Sequence, residues 1–349
     1  MIQLQLGNNF FVRKLDELTA CDREIWGQLL EQNKTLRQSF LSLQFAEAVV
    51  CTGMEVLILV IAVDSKPVFF LPLQRCKGMV GKLGLYEPVG GAMSDYFGAV
   101  AASGISIDPM QMLAATKGRV NGVLFTHLDQ SQNSFGLLGG EPRKGLRTRL
   151  GVPPEAFWGN LRLTDKKLVY DTERREKKLV ADHGSLHFEW ESSHPETDLV
   201  WLVEAKRNQY ERTKKQLAPL FILQNVELLN NLLKSKHPAC HGVLSVLRSG
   251  DKIIAAHLGL RCLETMHVWF PVYDPQFASY SPGRILFKYL FAQGAGQGIE
   301  LFDRGEGDNQ AKRDFANEEH LYLRGFWHAG GWRGLLTKLA VGIAWRIGN

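Results

Sequence analysis

Two hairpin signatures in corresponding places constrain this chain more than any other feature. Val56–Val63 and Pro67–Leu73, rich in Val, Ile, Leu and Phe, flank the turn Asp64-Ser65-Lys66. Gly242–Arg248 and Lys252–Arg261 flank Ser249-Gly250-Asp251 in the same way. Apolar runs separated by a short polar turn read as antiparallel strand pairs. Each hairpin also has the same neighbours. Helical patterns at residues 10–34 and Phe40–Val50 precede the first; Pro195–Gln216 and Asn225–Leu233 precede the second. After the first come a short strand at Gly81–Leu85, a polar loop at Glu87–Tyr96, a helix at Ile107–Gly118 and a strand at Gly122–Leu128. After the second come a strand at Thr265–Tyr273, a helix opening at Tyr280 and a strand at Ile299–Phe302. The order paired helices, hairpin, strand, loop, helix, strand thus occurs twice. The halves share little sequence, so the repeat is one of fold and not a solenoid. The expected class is α/β (α+β): two tandem domains, 1–160 and 161–349, each a mixed, mostly antiparallel sheet flanked by helices.

A chain of 349 residues with 45% hydrophobic and 22% charged content supports two globular domains of ordinary size. The net charge of +5 is dispersed and does not call for nucleic acid; it suits a phosphorylated small molecule or an anionic surface. The charged run Arg174-Arg175-Glu176-Lys177-Lys178, within a helix read at Thr164–Asp182, fits a solvated face. Cys21, Cys51, Cys76, Cys240 and Cys262 are odd in number and form no C-x-x-C pair, which points to a reducing compartment. No basic n-region with an apolar run opens the chain, and no stretch reaches the ~20 apolar residues of a membrane span. A cytoplasmic location is expected. The His residues are scattered without ligand spacing, so no metal is expected. No G-x-S-x-G motif marks a nucleophile.

The stretch from Tyr280 to Lys312 concentrates the features of a site. Ser281 is placed to cap a helix with Pro282 at its first position, and Ile285, Leu286, Tyr289 and Leu290 share a face. Gly294, Gly296 and Gly298 end the helix. A buried strand follows, and Asp303 stands at its C-terminal end before a Gly-rich exit. Helix N-termini offer N–H groups to anions, and strand C-termini in layered α/β folds hold ligands.

Several segments resemble one family when taken in order. They are the Ser42–Val50 helix, Pro88-Val89-Gly90-Gly91 with Ser94-Asp95-Tyr96, Lys206 to Thr213, and Ala255 to Arg261. Trp269 to Pro275, Tyr280-Ser281-Pro282-Gly283, and Asp303 through Gly307-Asp308 to Lys312 complete the set. The chain resembles the cellulose-biosynthesis (CelD-like) acetyltransferases of the GNAT superfamily from about Ser42 to Lys312. One departure is Ala311, where the family usually has Tyr before the last Lys. The resemblance implies two tandem GNAT-like domains, distantly related to Fem-type aminoacyltransferases, and an acyl-CoA donor, acetyl-CoA foremost. Some such relatives acylate the amino group of a nucleotide-linked sugar.

This resemblance implies a two-sided site. The strand around Trp269 would offer the backbone of Phe270 and Val272 to pantetheine; Pro271 interrupts its ladder in either reading. Ser281, Pro282, Gly283 and Arg284 would hold the pyrophosphate, or form an ordinary helix cap. Asp303 would serve as base or orient the acceptor; the alternative is a structural acid capping the next turn or paired with Arg304 or Lys312. His267 is a reserve proton acceptor, and His257, also on a strand, reads as a core histidine. Lys312 would contact phosphate or acceptor, or be a solvated lysine. Asp95 and Tyr96 with Lys206, Gln209 and Tyr210 would line the acceptor side, or serve inter-domain packing and capping.

The expected function is an acyl-CoA-dependent N-acyltransferase, transferring groups other than amino-acyl. Its acceptor would be an amino sugar, nucleotide-linked, in exopolysaccharide synthesis. Two alternatives stand: an O-acetyl or Fem-type aminoacyl transferase, or an inactive GNAT scaffold docked on a polysaccharide synthase. The tail places Trp332, Leu335, Leu336, Leu339, Ile343 and Ile347 on one helical face. It is expected to pack on its domain as a terminal amphipathic helix, 332–347; an interfacial membrane or docking helix is the other reading.

Overall fold

The computed structural model describes residues 2–3, 9–214 and 219–347. Two compact units emerge: Met1–Gly145 with His320–Asn349, and Leu146–Glu319. The division differs from a single boundary at residue 160. The last thirty residues return to the first unit because the strand Glu318–His328 pairs antiparallel with Gly122–Asp129 there, Tyr322 opposite Asp129.

The first unit carries a mixed sheet in the order Phe10–Lys14, Val56–Val63, Lys66–Arg75, Leu85–Glu87, Gly122–Asp129 and the His320–His328 part of the last strand. Only Leu85–Glu87 and Gly122–Asp129 run parallel in that series. The hairpin turn is tighter than expected: Val63 faces Lys66, and Asp64 and Ser65 both take positive φ. That is the two-residue turn whose twist matches antiparallel strands. Residues 10–14, read as part of a helical stretch, form the strand that covers the hairpin's outer side. The helix Ala20–Gln32 begins after a Thr19 cap. Ser42 caps Leu43–Val50, its hydroxyl accepting from the Phe45 amide at 3.1 Å. At Gly81 the expected strand is a short helix, Gly78–Lys82, and the strand starts at Leu85. A Cβ on Gly81 would lie 1.8 Å from the Cys76 carbonyl oxygen, so that turn of helix needs glycine.

The second unit's sheet runs Leu186–Glu189, Cys240–Ser249, Lys252–Cys262, Thr265–Tyr273 and Leu301–Glu306, with Leu146–Arg149 beyond. It is antiparallel except between Thr265–Tyr273 and Leu301–Glu306. The helix Pro282–Gly296 crosses this sheet and buries Ile285, Leu286, Leu290 and Phe291 against Val243, Leu247, Ile254, Met266 and Phe302. Each such side chain contributes about 1.5–3 kcal/mol on burial. The charged helix Lys166–His183 buries Leu168, Val169, Thr172 and Leu179. Its Arg174 and Arg175 pair with Asp171, the solvated ion-pair face the sequence suggested.

The terminal helix, Gly331–Ile347, packs on the first unit by an unexpected face. Gly334 and Thr337 are buried, and the Thr337 hydroxyl donates to the Gly334 carbonyl at 2.7 Å. Trp332, Leu335, Leu336 and Leu339 are 44–68% exposed. The expectation that this apolar face would pack on the domain is corrected: small residues at 334 and 337 allow close approach, and the large ones point away. Ile343 and Ile347 lie outside the residues whose side chains are described.

Candidate active site

The second unit is built around a defect in its sheet. Leu258 faces Phe270, but Gly259 faces Val268, so Trp269 is one residue extra to the ladder. Such a bulge bends a strand and re-aims its backbone. Two side chains require it. Pro271 lies opposite His257 and supplies no N–H to the ladder. His257 itself is fully buried behind the bulge. A Cβ at Gly259 would stand 2.4 Å from the His257 ring and 2.7 Å from the His267 carbonyl oxygen, so only glycine fits.

On the other edge the same strand forks. Thr265, Met266 and His267 pair in parallel with Leu301, Phe302 and Asp303, and the ladder ends there. Both strands continue, to Tyr273 and to Glu306. His267 and Asp303 therefore close the apex of an opening between neighbouring strands, with the bulge on one arm.

Asp303 is fully buried and held from several sides. It accepts from Arg147 Nε at 2.7 Å and from the Gly305 amide at 2.8 Å, and its Oδ1 lies 3.6 Å from His267 Nδ1. The Gly305 contact is the turn cap expected of a structural acid, while Arg304 and Lys312 bond to carbonyls of the exit loop. Arg304 points to the opposite side, stacks on Phe287 at 4.2 Å and donates to the carbonyls of Ala311 and Lys312. Burial lowers its guanidinium to about 10. Lys312 Nζ donates to the Glu306 carbonyl, so the exit loop is stitched by two cations. Arg147 was not foreseen. It lies on the strand Glu141–Arg149, a segment with no element expected from the sequence.

His257 carries no hydrogen-bond partner on either ring nitrogen. Burial, then the positive fields of His267, Arg304 and Lys206, push its pKa down to about 3. It is a neutral core histidine, buried as expected but without the hydrogen bond that a core histidine usually makes.

Lys206, Gln209 and Tyr210 lie on the helix Pro195–Arg212, beside the bulge. Lys206 Nζ donates to the Pro271 carbonyl at 2.8 Å and lies 5.5 Å over the Tyr210 ring. Gln209 Oε1 is buried with no hydrogen-bond partner. Phe270 and Val272 occupy the bulged arm and bury their side chains. Ser281 stands at the N-cap of the Pro282–Gly296 helix in a left-handed conformation, φ 53°, and its side chain makes no cap bond. That corrects the expected side-chain cap. The Arg284 amide donates to the Ser281 carbonyl at 2.9 Å, and Pro282 has no N–H, which leaves the Gly283 amide at the helix mouth. The Arg284 side chain pairs with Asp314 at 2.8 Å and Asp171 at 3.3 Å.

Asp95 and Tyr96 belong to the first unit. Tyr96 is buried, accepts a hydrogen bond from Tyr322 Oη at 3.0 Å and packs against Phe40. Ser94 Oγ donates to its carbonyl. Nearby, His320 contacts Asp129 at 2.7 Å. Burial raises the Asp129 carboxyl, but His320 and Ser131 outweigh it and hold the group below its usual value.

Residues 166–313 match the family model of the acetyltransferase (GNAT) domain. That segment of the second unit therefore has the fold of a GNAT domain. FemX superposes with a TM-score of 0.64 at 10% identity, over 94% of this chain and 99% of that one. A conserved protein of unknown function from Bacteroides thetaiotaomicron superposes at 0.54, with 10% identity, 90% of this chain and 100% of that one. A tandem GNAT protein from the clavulanic acid biosynthesis pathway gives 0.45, with 11% identity, 93% and 99%. No curated protein matches the sequence. The GNAT fold implies an acyl-CoA co-substrate. Among the described residues, no group of His, Cys, Asp and Glu is placed to hold a metal, and no helix is long and apolar enough to cross a membrane.

Proposed function

We propose that the second unit binds an acyl-CoA, acetyl-CoA foremost, and transfers the acyl group to the amine of a nucleotide-linked amino sugar used in surface-polysaccharide synthesis. The observation that carries the reading is the forked strand pair, bulged at Trp269 and closed by His267 and Asp303. An extended thiol arm entering such an opening runs along the arm of Phe270 and Val272, which is paired with Leu258 and Ala256 on its far edge and lies past the end of the ladder on the side of the fork. The Gly283 amide and the Ser281 hydroxyl face the pyrophosphate at the helix mouth. Arg284 joins them by exchanging Asp314 for phosphate.

Amine attack on a thioester needs a proton acceptor, oxyanion donors and alignment. The amine nitrogen bonds to the thioester carbon, the carbon–sulfur bond breaks, and the proton leaves to a base as the thiolate departs. His267 takes that proton through water, and Asp303 positions the imidazole. Asp303 itself, neutralised by Arg147, is a poorer base than an open carboxylate. Lys206 holds the bulge through the Pro271 carbonyl, and Lys312 holds the exit loop. Gln209 Oε1 and Tyr210, on the second unit's Pro195–Arg212 helix, meet the sugar. The amino-sugar acceptor rests on the sequence resemblance.

Coenzyme A release, assayed over a panel of nucleotide-linked amino sugars, tests the reading. Turnover with at least one of them, and an acylated amine in the product, is expected. Turnover confined to hydroxyl acceptors or to aminoacyl-tRNA donors would overturn it.

A further inference from the structure

The terminal helix presents its apolar stripe to solvent. Trp332, Leu335, Leu336 and Leu339 recur at i, i+3, i+4 and i+7, so they form one stripe. The packed residues, Gly334 and Thr337, lie on the opposite side. The stripe is 44–68% exposed along its length. Arg333 and Lys338 flank it on either side, both exposed.

A basic depression of about 440 Å³ adjoins the stripe and takes Trp332 and Leu336 into its wall. Its cations are Arg75, Lys82, Arg119 and Arg333, against the single carboxylate of Glu55. Glu55 lies 3.3 Å from Arg75 Nε, which leaves Lys82, Arg119 and Arg333 without a carboxylate in the depression. Arg119 is anchored by Nη1 on the Val12 carbonyl, and Arg333 stands 5.2 Å from the Trp332 ring. Leu83 lines the same depression, 43% exposed, and Met79, one turn away, is 71% exposed.

We infer that this face is a peripheral membrane-docking surface: the Trp332–Leu339 stripe enters the interfacial layer, and the Arg119–Arg333 depression takes the phosphate of an anionic phospholipid headgroup. Charge complementarity chooses the occupant. A protein-docking face of this area would bury its cations against carboxylates, whereas an anionic bilayer supplies phosphate at the height of the helix flanks and hydrocarbon beneath the stripe. An exposed Trp at the start of the stripe suits that boundary, with its ring body apolar and its N–H wet. The inference does not depend on the acyl-transfer chemistry, which lies in the other unit.

The test is co-sedimentation of the full chain with vesicles of equal parts phosphatidylglycerol and phosphatidylcholine, against pure phosphatidylcholine. Binding to the anionic vesicles, and little to the neutral ones, is expected. Arg119→Gln with Arg333→Gln should weaken binding about thirty-fold, since each basic residue at an anionic surface is worth roughly five-fold. Trp332→Ser with Leu336→Ser should weaken it at least about ten-fold. Both pairs are exposed, so melting temperature should hold. No sedimentation with anionic vesicles, equal binding to both compositions, or undiminished binding of either double variant would overturn the inference. So would a concentration-dependent dimer that the apolar variant abolishes while vesicles stay unbound; the stripe would then cover a second copy.

Discussion

Removing the guanidinium of Arg147 isolates the interaction on which the apex of the fork depends. Arg147→Met keeps the stem and deletes the charge. Asp303 is fully buried and also accepts from the Gly305 amide. Two unit charges about 4 Å apart interact by roughly 4 kcal/mol at an effective dielectric of ~20. Breaking a buried pair from one side costs about 3–5 kcal/mol, because the surviving charge is left uncompensated. With a urea slope near 2 kcal/mol/M, the unfolding midpoint of the second unit should fall by roughly 2 M. Adding Asp303→Asn should restore stability to within about 1 kcal/mol of the parent, because a neutral pair carries no stranded charge. Urea titration followed by tryptophan fluorescence, read on both variants, gives the coupling directly. A loss below about 1 kcal/mol for Arg147→Met, or a double variant as unstable as the summed singles, would refute the claim that this ion pair holds the apex.

Other expectations follow from the same geometry. Gly259→Ala drives a methyl into the His257 ring and the His267 carbonyl, and should cost about 1–3 kcal/mol in thermal unfolding while weakening acyl-CoA binding. His257 is neutral when folded down to about pH 3, whereas an unfolded His takes a proton near pH 6.5. The unfolded chain therefore binds more protons between those values, and His257 contributes stability above pH 6.5 that is lost as pH falls toward 3. His257→Leu should lose less stability than the parent between pH 6.5 and 4, by up to roughly 1.4 kcal/mol per pH unit; parallel pH curves would contradict this. Lys206→Met strands the Pro271 carbonyl at a cost of about 1–3 kcal/mol and should raise KM for acyl-CoA more than it lowers kcat.

Much of the fold was legible because its strands announce themselves locally. Both hairpins, the helix after Tyr280 and the capping of Leu43–Val50 by Ser42 follow from alternation, turn residues and cap chemistry within a few positions; the strand expected at Ile299–Phe302 instead runs Leu301–Glu306, so Asp303 lies within it and not at its end. Asp303 and His267 could be singled out as strand residues near a polar exit. Their meeting across one parallel register pair could not, since it depends on tertiary pairing. Arg147 was invisible for the same reason: it reaches Asp303 across 156 positions, from a strand whose Arg, Lys and Gly residues mask its alternation. Glu318–His328 went unread because its charged residues interrupt the apolar ones, although Tyr322 and Trp327 bury well. The terminal helix shows the limit of amphipathic reading. Periodicity found its apolar stripe correctly, but Gly334 and Thr337 decide which side packs.

Hydrogen exchange with and without acetyl-CoA tests the donor site most directly. Protection is predicted at residues 268–273 on the bulged arm and at residues 281–285 at the helix mouth. Saturating acetyl-CoA that leaves both segments unprotected, or protects only segments of the first unit, would contradict the assignment of the fork to the acyl donor.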